Sequence, residues 1–307
     1  MIIDMKQKIR DIKQLAIIGA TASGKSALAI EVAQKQNGII LSLDSLSIYK
    51  EIDIASAKPT IKERGSVPHY GIDLLYPNEP FDVTIYMKLY KEVYDIAKKE
   101  SKNLIIVGGS SFYLKSMIEG ISPLPYPTLE QKEEILDRLK EPQKLYNMLY
   151  KLDPQYMQNI KPNDIYRIEK AFSIYLISST IPSIYFRDNP PEPTIIEDIP
   201  IYAIDSPKEL LRERIIQRTH NMIEDGIIDE VARLEYLYGR QPNAMRSIGI
   251  KETLEYLDGR VDIDRLIEKI ITNTARLAKR QKTFNRSQFH NVVSMELEEL
   301  KKILGKT

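Results

Sequence analysis

Gly19-Ala20-Thr21-Ala22-Ser23-Gly24-Lys25-Ser26 satisfies the pattern G-x-x-x-x-G-K-[ST] at every required position. The pattern predicts a backbone cradle for a phosphate or diphosphate, because glycines let successive amide N–H groups converge on an anion. Lys25 adds a point charge, and the Ser26 hydroxyl can hold a magnesium ion that bridges two phosphates. The flanks agree with this reading. Residues 14–18 are a short apolar run suited to a buried parallel strand, and 26–36 has helical periodicity, giving the order strand, loop, helix that the pattern requires. A chance glycine-rich turn would not explain the lysine, hydroxyl, strand and helix together. Taken alone, the loop points to nucleotide binding, ATP above all, and leaves the fate of the phosphate open.

Outward from the loop, short apolar runs at 14–18, 39–43, 70–75, 103–107 and 200–204 alternate with longer helical patterns. This predicts parallel strands with helical crossovers, and so an α/β doubly wound parallel sheet. Pro123-Leu124-Pro125-Tyr126-Pro127 and Asn189-Pro190-Pro191-Glu192-Pro193 interrupt the alternation. Between these breaks, 129–141, 143–151 and 163–179 carry helix-like spacing and few strand signals, which predicts an inserted small helical domain. The expected division is a catalytic core of 1–122 and 198–307 with an insertion of 123–197. After the strand at 201–204, Asp205-Ser206-Pro207 reads as a helix start. Helical segments near 207–238, 246–257 and 261–285 follow, then a last apolar run at 289–294.

Composition narrows the function classes. The 307 residues are 43% hydrophobic and 28% charged, as in an ordinary globular protein, and no apolar run approaches the roughly 18 residues of a membrane span. Residues 1–6 alternate apolar and charged side chains and do not form a secretory apolar stretch, so the expectation is a cytoplasmic, membrane-free protein, with a monomer as the default. With no cysteine in the chain, disulfides, thiolate catalysis and cysteine-ligated zinc are excluded. His69, His220 and His290 are not spaced as a metal pair. A net charge of +1 neither indicates nor forbids nucleic acid, so the distribution of charge matters more than its sum.

Chemistry-bearing residues cluster at strand ends. The run 39–43 ends in Asp44-Ser45, and ligands of open α/β sheets bind outside the carboxyl ends of the strands, which puts Asp44 beside the phosphate loop. It can be read as a turn carboxylate, a magnesium ligand or a general base beside a leaving group. The run 103–107 ends in Gly108-Gly109-Ser110-Ser111, where an ATP hydrolase of this architecture commonly carries a magnesium-holding Asp. Its absence favours use of the loop as a diphosphate holder with Ser110 near the reacting centre. Arg214 and Arg218 are four apart and share a helix face. That face is either a solvated, salt-bridged surface, given Glu209, Glu213 and Glu224, or a guanidinium contact to a diphosphate. The stretch 274–286 holds Arg276, Lys279, Arg280, Lys282 and Arg286 with no acidic residue, and is either a solvated face or a contact surface for a nucleic-acid backbone. Arg246 through Lys251, and Tyr166-Arg167 through Lys170, add further cations.

Together these motifs resemble one family, the bacterial tRNA dimethylallyltransferases, which prenylate the exocyclic N6 of adenine 37 beside the anticodon. The resemblance covers nearly the whole chain. It rests on 19–26, Asp44-Ser-Leu-Ser-Ile-Tyr49 with Ile54-Ala-Ser-Ala-Lys-Pro59, Val107-Gly-Gly-Ser-Ser-Phe-Tyr113, Asn163-Asp-Ile-Tyr-Arg-Ile-Glu-Lys-Ala171, Met222-Ile-Glu-Asp-Gly-Ile-Ile-Asp-Glu-Val231, Arg246-Ser-Ile-Gly-Ile250 and Leu277-Ala-Lys-Arg-Gln-Lys-Thr283, in that order.

The resemblance implies a P-loop NTPase-like fold and transfer of a dimethylallyl group from dimethylallyl diphosphate to tRNA. Asp44 would take the N6 proton. Lys25 and Ser26 with Mg2+ would hold the diphosphate in the cradle Gly19, Ala20, Thr21, Ala22, Ser23, Gly24, and Ser110 and Arg218 would complete its binding, with Arg214 the less favoured alternative to Arg218. Contacts to the tRNA anticodon stem-loop would come from Asp44, Ser45, Leu46, Ser47, Ser110, Lys132, Tyr166, Arg167, Lys170, Arg246, Lys251, Lys279, Arg280 and Arg286. Four places depart from the usual pattern: Ser47 stands for glutamine, Ser110 for threonine, Ile250-Lys251 for tyrosine and arginine or glutamine, and Phe284 for tryptophan. Two competing enzyme readings share the loop, a small-molecule kinase and prenyl transfer to a free adenine nucleotide. Neither accounts for the helical insertion. A nucleic-acid-binding module without catalysis is the non-enzyme reading.

Overall fold

The computed structural model describes residues 12–196 and 198–305, so the alternation at residues 1–6 lies outside the described residues. The chain divides into two compact units, one built from residues up to Lys115 and from Ile195 onward, the other from Ser116–Thr194.

In the first unit, β1 (Gln14–Gly19) leads through the glycine-rich loop into α1 (Lys25–Lys35), followed by β2 (Gly38–Ser42), the single turn α2 (Ile61–Arg64), β3 (His69–Tyr70), α3 (Val83–Glu100), β4 (Asn103–Gly108) and α4 (Ser111–Glu119). Six parallel strands run in the order β3-β2-β4-β1-β5-β6. β1 therefore pairs with β4 on one side and β5 on the other although β2 and β3 intervene in sequence. That reversal of strand order opens a crevice at the carboxyl ends of the strands. The strands are apolar runs because they are covered: Ile17, Leu28 and Ile105 are fully buried in a cluster that also takes in Leu300 and Leu304. Burying each such side chain contributes about 1.5–3 kcal/mol. α3 starts where the Asp82 carboxylate accepts the Thr84 N–H, and it packs on β2 and β4 through residues that include Tyr86, Leu89 and Val93.

The second unit holds α5 (Leu129–Arg138), α6 (Pro142–Leu152), α7 (Pro154–Met157), α8 (Ile165–Ser178) and α9 (Pro182–Asp188) around Leu149, Met157, Ile168, Ala171 and Phe172. A capping box of Thr128 and Gln131 opens α5, and the Asp164 carboxylate caps α8. This unit begins before the proline break at 123, within α4. Thr194 N–H donates to Met117 O at 2.8 Å and Ile121 bridges Glu192, so its two ends close on each other.

The chain then forms β5 (Ile201–Ile204), α10 (Lys208–Glu224), α11 (Ile227–Tyr238), α12 (Ile250–Leu257), α13 (Ile263–Gln288), β6 (Val292–Met295) and α14 (Leu297–Leu304). Three expectations need correction. The apolar run 70–75 yields only the two-residue β3, because Gly71 at φ +79° and Asp73 at φ +55° turn the backbone out of the extended form. The pattern 207–238 is two helices, divided where Gly226 adopts φ +93°. The segment 246–257 becomes helical only from Ile250, after a 3-10 turn at Asn243–Arg246. α14 had no counterpart in the sequence reading.

Candidate active site at the phosphate loop

Lys25 heads α1, and its ammonium donates to Ala20 O at 3.3 Å across the loop. Burial lowers its pKa to about 8, with the Asp44 carboxylate acting in the opposite sense and the Arg218 guanidinium adding to the fall. The groups are thus electrostatic neighbours. Both arginines foreseen on α10 reach the loop: Nη1 of Arg218 donates to Thr21 Oγ1 at 3.2 Å, and Nη1 of Arg214 to Ser23 O at 3.2 Å. Arg218 also donates to Ser56 O at 3.4 Å. Burial lowers its pKa, Asp44 opposes that, and a guanidinium remains charged regardless.

Asp44 follows the end of β2. Its Oδ1 accepts the N–H groups of Leu46 at 2.9 Å and Ser47 at 3.0 Å, and Tyr86 Oη donates to its carbonyl at 2.6 Å. The turn-carboxylate reading is therefore correct for one oxygen, while Oδ2 accepts no hydrogen bond from the described residues. Tyr113 and Tyr86 flank this carboxylate. Burial pushes the Tyr113 phenol up to about 12, helped by Asp44 and Tyr49, and drives Tyr86 well above its ordinary value, so both remain neutral donors. Ser110 is brought alongside by the missing side chain of Gly108: a Cβ there would lie 2.1 Å from Leu43 O. The Ser110 N–H donates to that same Leu43 carbonyl at 3.3 Å, one residue before Asp44.

A cleft of about 1220 Å³ opens beside the loop, lined by Lys25, Ser26, Ala57, Arg64, Arg214 and Arg218 among others. Asp44 and Ser110 are not among its lining residues. Two residues that build the site carried no separate signal in the sequence reading. Glu230, 8% exposed, accepts the N–H groups of Asp53, Ile54 and Ala55 at 2.8–2.9 Å, fixing part of the cleft wall. Gln281 of α13 accepts the Thr21 N–H at 2.8 Å and donates to Gly109 O at 3.0 Å. Both lie within the motifs given above; Glu230 shares the buried face of α11 with Ile227, Val231 and Leu234, whereas Gln281 is surrounded in sequence by exposed cations that mask it.

The remaining site residues divide by exposure. Ser45 is exposed and Leu46 half-buried, whereas Ser47 is 5% exposed with its amide committed to Asp44. Arg246, Lys251, Lys279, Arg280 and Arg286 are exposed, and none has an ion-pair partner within 4.0 Å among the described residues. In the second unit, Lys132 and Lys170 line a groove of about 380 Å³ with Ile135 and Ile174. Tyr166 is 68% exposed with the Lys170 ammonium 5.4 Å from its ring centre, and Arg167 pairs with Asp164 at 2.5 Å.

A doubly wound parallel sheet, a glycine-rich loop at its switch point and two guanidinium groups aimed at that loop define a P-loop type α/β enzyme. The comparisons narrow the class. The IPP transferase family model matches residues 47–288. A tRNA dimethylallyltransferase of Sulfurovum sp. (strain NBC37-1) is 56% identical over 95% of this chain and 97% of its own length, and one of Sulfurimonas denitrificans is 56% identical over 96% and 99%. The structure of a tRNA isopentenylpyrophosphate transferase from Bacillus halodurans superposes with a TM-score of 0.71 at 27% identity, covering 96% of this chain and 95% of that one. A eukaryotic dimethylallyltransferase acting on tRNA gives a TM-score of 0.80 at 26% identity over 92% and 74%. The chain belongs to the IPP transferase family. Among the described residues no helix is long and apolar enough to cross a membrane, and no group of three or more His, Asp or Glu side chains could hold a metal ion.

Proposed function

We propose that this protein transfers the dimethylallyl group of dimethylallyl diphosphate to N6 of adenine 37 in the anticodon loop of tRNA, releasing diphosphate, and does so as a cytoplasmic, membrane-free monomer. The observation that carries the residue assignment is the Asp44 carboxylate, one oxygen anchored and one open, electrostatically coupled to both Lys25 and Arg218.

The adenine amino group is a poor nucleophile because its lone pair is delocalised into the ring. As the N6–C1 bond forms and the C1–O bond to diphosphate breaks, Asp44 Oδ2 takes the N6 proton. Charge then grows on the departing diphosphate, where the first-turn amides of α1, Lys25 and Arg218 would stabilise it. Ser110, adjoining Asp44 through Leu43, completes binding at the reacting centre. The exposed hydroxyl of Ser26 is a hard oxygen donor that would suit Mg2+, a cation that binds through few protein oxygens. When bound, Mg2+ neutralises diphosphate charge.

Adenine must leave its stack to reach Asp44, at a cost of a few kcal/mol that is least for a loop base. Arg246, Lys251, Lys279, Arg280 and Arg286 would offset it by holding the RNA backbone, and Lys132, Tyr166, Arg167 and Lys170 by contacting the stem. Incubating tRNA with dimethylallyl diphosphate and Mg2+, then digesting it for mass analysis, tests the reading. The expected product is one prenylated adenosine from the anticodon loop with stoichiometric diphosphate. Unmodified tRNA in that incubation, together with ADP formed in a parallel incubation supplied with ATP and a small-molecule acceptor, would overturn it in favour of a kinase.

A further inference from the structure

The run 279–286 presents cations to solvent, yet Gln281 inside it faces the other way. Its side-chain amide bridges the Thr21 N–H of the cradle and the Gly109 carbonyl at the end of β4, at 2.8 and 3.0 Å. Reversing the amide would set donor against donor and acceptor against acceptor, so this orientation is the one both backbone groups accept. Gly109 makes room for it: a Cβ there would lie 2.6 Å from Gln281 Nε2 and 3.5 Å from Lys25 Cε. The contact is reinforced by packing. Ala278 is buried with Ala20 and Ile215, and Ala275 and Ala22 pack against the same cluster, so the inner face of α13 lies directly on the loop and on the helix that carries Arg214 and Arg218.

Resting on the proposed reaction, we infer that Gln281 is a positioning residue for the donor diphosphate and not a contact to RNA. By committing the Thr21 amide it sets the turn from which Gly24, Lys25 and Ser26 present the N–H groups of the first turn of α1. By holding Gly109 O it fixes the path of the backbone into Ser110. Its two neighbours Lys279 and Arg280 act on the opposite substrate from the outer side of the same helical turn.

The test compares Gln281→Met, which keeps the length and removes both hydrogen bonds, with Gln281→Glu, which keeps an acceptor for Thr21 but sets a carboxylate against Gly109 O. Magnesium diphosphate affinity and anticodon stem-loop affinity are each measured by calorimetry without the other ligand, and kcat and donor KM are measured with tRNA. Gln281→Met is expected to weaken diphosphate binding and raise donor KM about tenfold, with stem-loop affinity changed less than about twofold. Gln281→Glu should weaken diphosphate binding further, because it brings negative charge beside the cradle. Lys279→Ala should give the converse pattern. Unchanged diphosphate affinity in both Gln281 variants, or a loss of stem-loop affinity matching that of Lys279→Ala, would overturn the inference. Absence of tRNA prenylation by the unaltered protein would instead count against the proposed reaction, and the diphosphate arm would still decide the role of Gln281 at the cradle.

Discussion

Arg218 grips the phosphate loop by a side chain, donating from Nη1 to Thr21 Oγ1 at 3.2 Å, whereas Arg214 one turn earlier holds only the Ser23 carbonyl. The two guanidinium groups therefore differ in what they leave free. Arg218 is also half-buried close to Lys25 and Asp44, where a cation opposite a developing diphosphate would be only partly screened. Arg218→Ala is expected to lower kcat by about 10²–10³-fold. Arg218→Lys should recover little of this, because an ammonium cannot span Thr21 and Ser56 as a planar fork does. Arg214→Ala should raise donor KM with a smaller effect on kcat. Steady-state kinetics on the three variants checks the order, and equal losses in Arg214→Ala and Arg218→Ala would contradict it.

Asp44→Asn keeps an oxygen that can accept from Leu46 and Ser47, so the turn after β2 should survive while the proposed base is lost. Proton removal by a positioned base contributes about 10²–10⁴-fold, and kcat should fall by that range. RNA and diphosphate binding should stay near those of the unaltered protein. Single-turnover prenylation measured alongside binding checks this, and near-normal turnover would remove Asp44 from the role of base.

In the diphosphate-free protein, burial brings Lys25 to about 8, against the opposing effect of Asp44 and with the help of Arg218. On the proposed function, the charged form is the one that would bind diphosphate. Below pH 8 it predominates, and as pH rises through 8 it is lost, so affinity should fall about tenfold between about pH 7 and 9. The sign is that of a lysine whose folded pKa is depressed: binding is strongest on the acid side. Lys25→Arg stays charged across this window and should flatten the profile, whatever its absolute affinity. Calorimetric titration with magnesium diphosphate over the range gives the answer.

The loop and strand ends were legible because their chemistry is local. Residues 19–26 carry the whole cradle in one stretch, and Asp44 and Ser110 directly follow apolar runs. Gln281 and Glu230 were not legible, since their partners are far away in sequence: Thr21 is 260 residues from Gln281, and Ala55 is 175 from Glu230. A buried polar residue shows its purpose only when the backbone it satisfies is known. The short β3 and the break at Gly226 leave little trace in the sequence, because a left-handed residue inside an apolar pattern barely alters its periodicity. Leu300 and Leu304 of α14 belong to the sheet core, but a helix of two turns near the end of a chain gives too few repeats to read.

Lys279, Arg280 and Arg286 project from α13 without ion-pair partners among the described residues, unlike Lys282, which pairs with Asp205 at 2.6 Å. A cation already neutralised by a carboxylate releases fewer counterions on meeting a phosphate. The expected contrast is therefore within one helix. Lys279→Ala and Arg280→Ala should each reduce the slope of log affinity against log salt for tRNA by about 0.7–0.9, and Lys282→Ala by clearly less. Affinity should fall in parallel for cognate and unrelated tRNAs, because backbone contacts carry no base information. Filter binding at four or more salt concentrations checks both statements. A Lys282→Ala slope change as large as the other two would show that the Asp205 pair opens on binding, and unchanged slopes in Lys279→Ala and Arg280→Ala would remove α13 from the RNA interface.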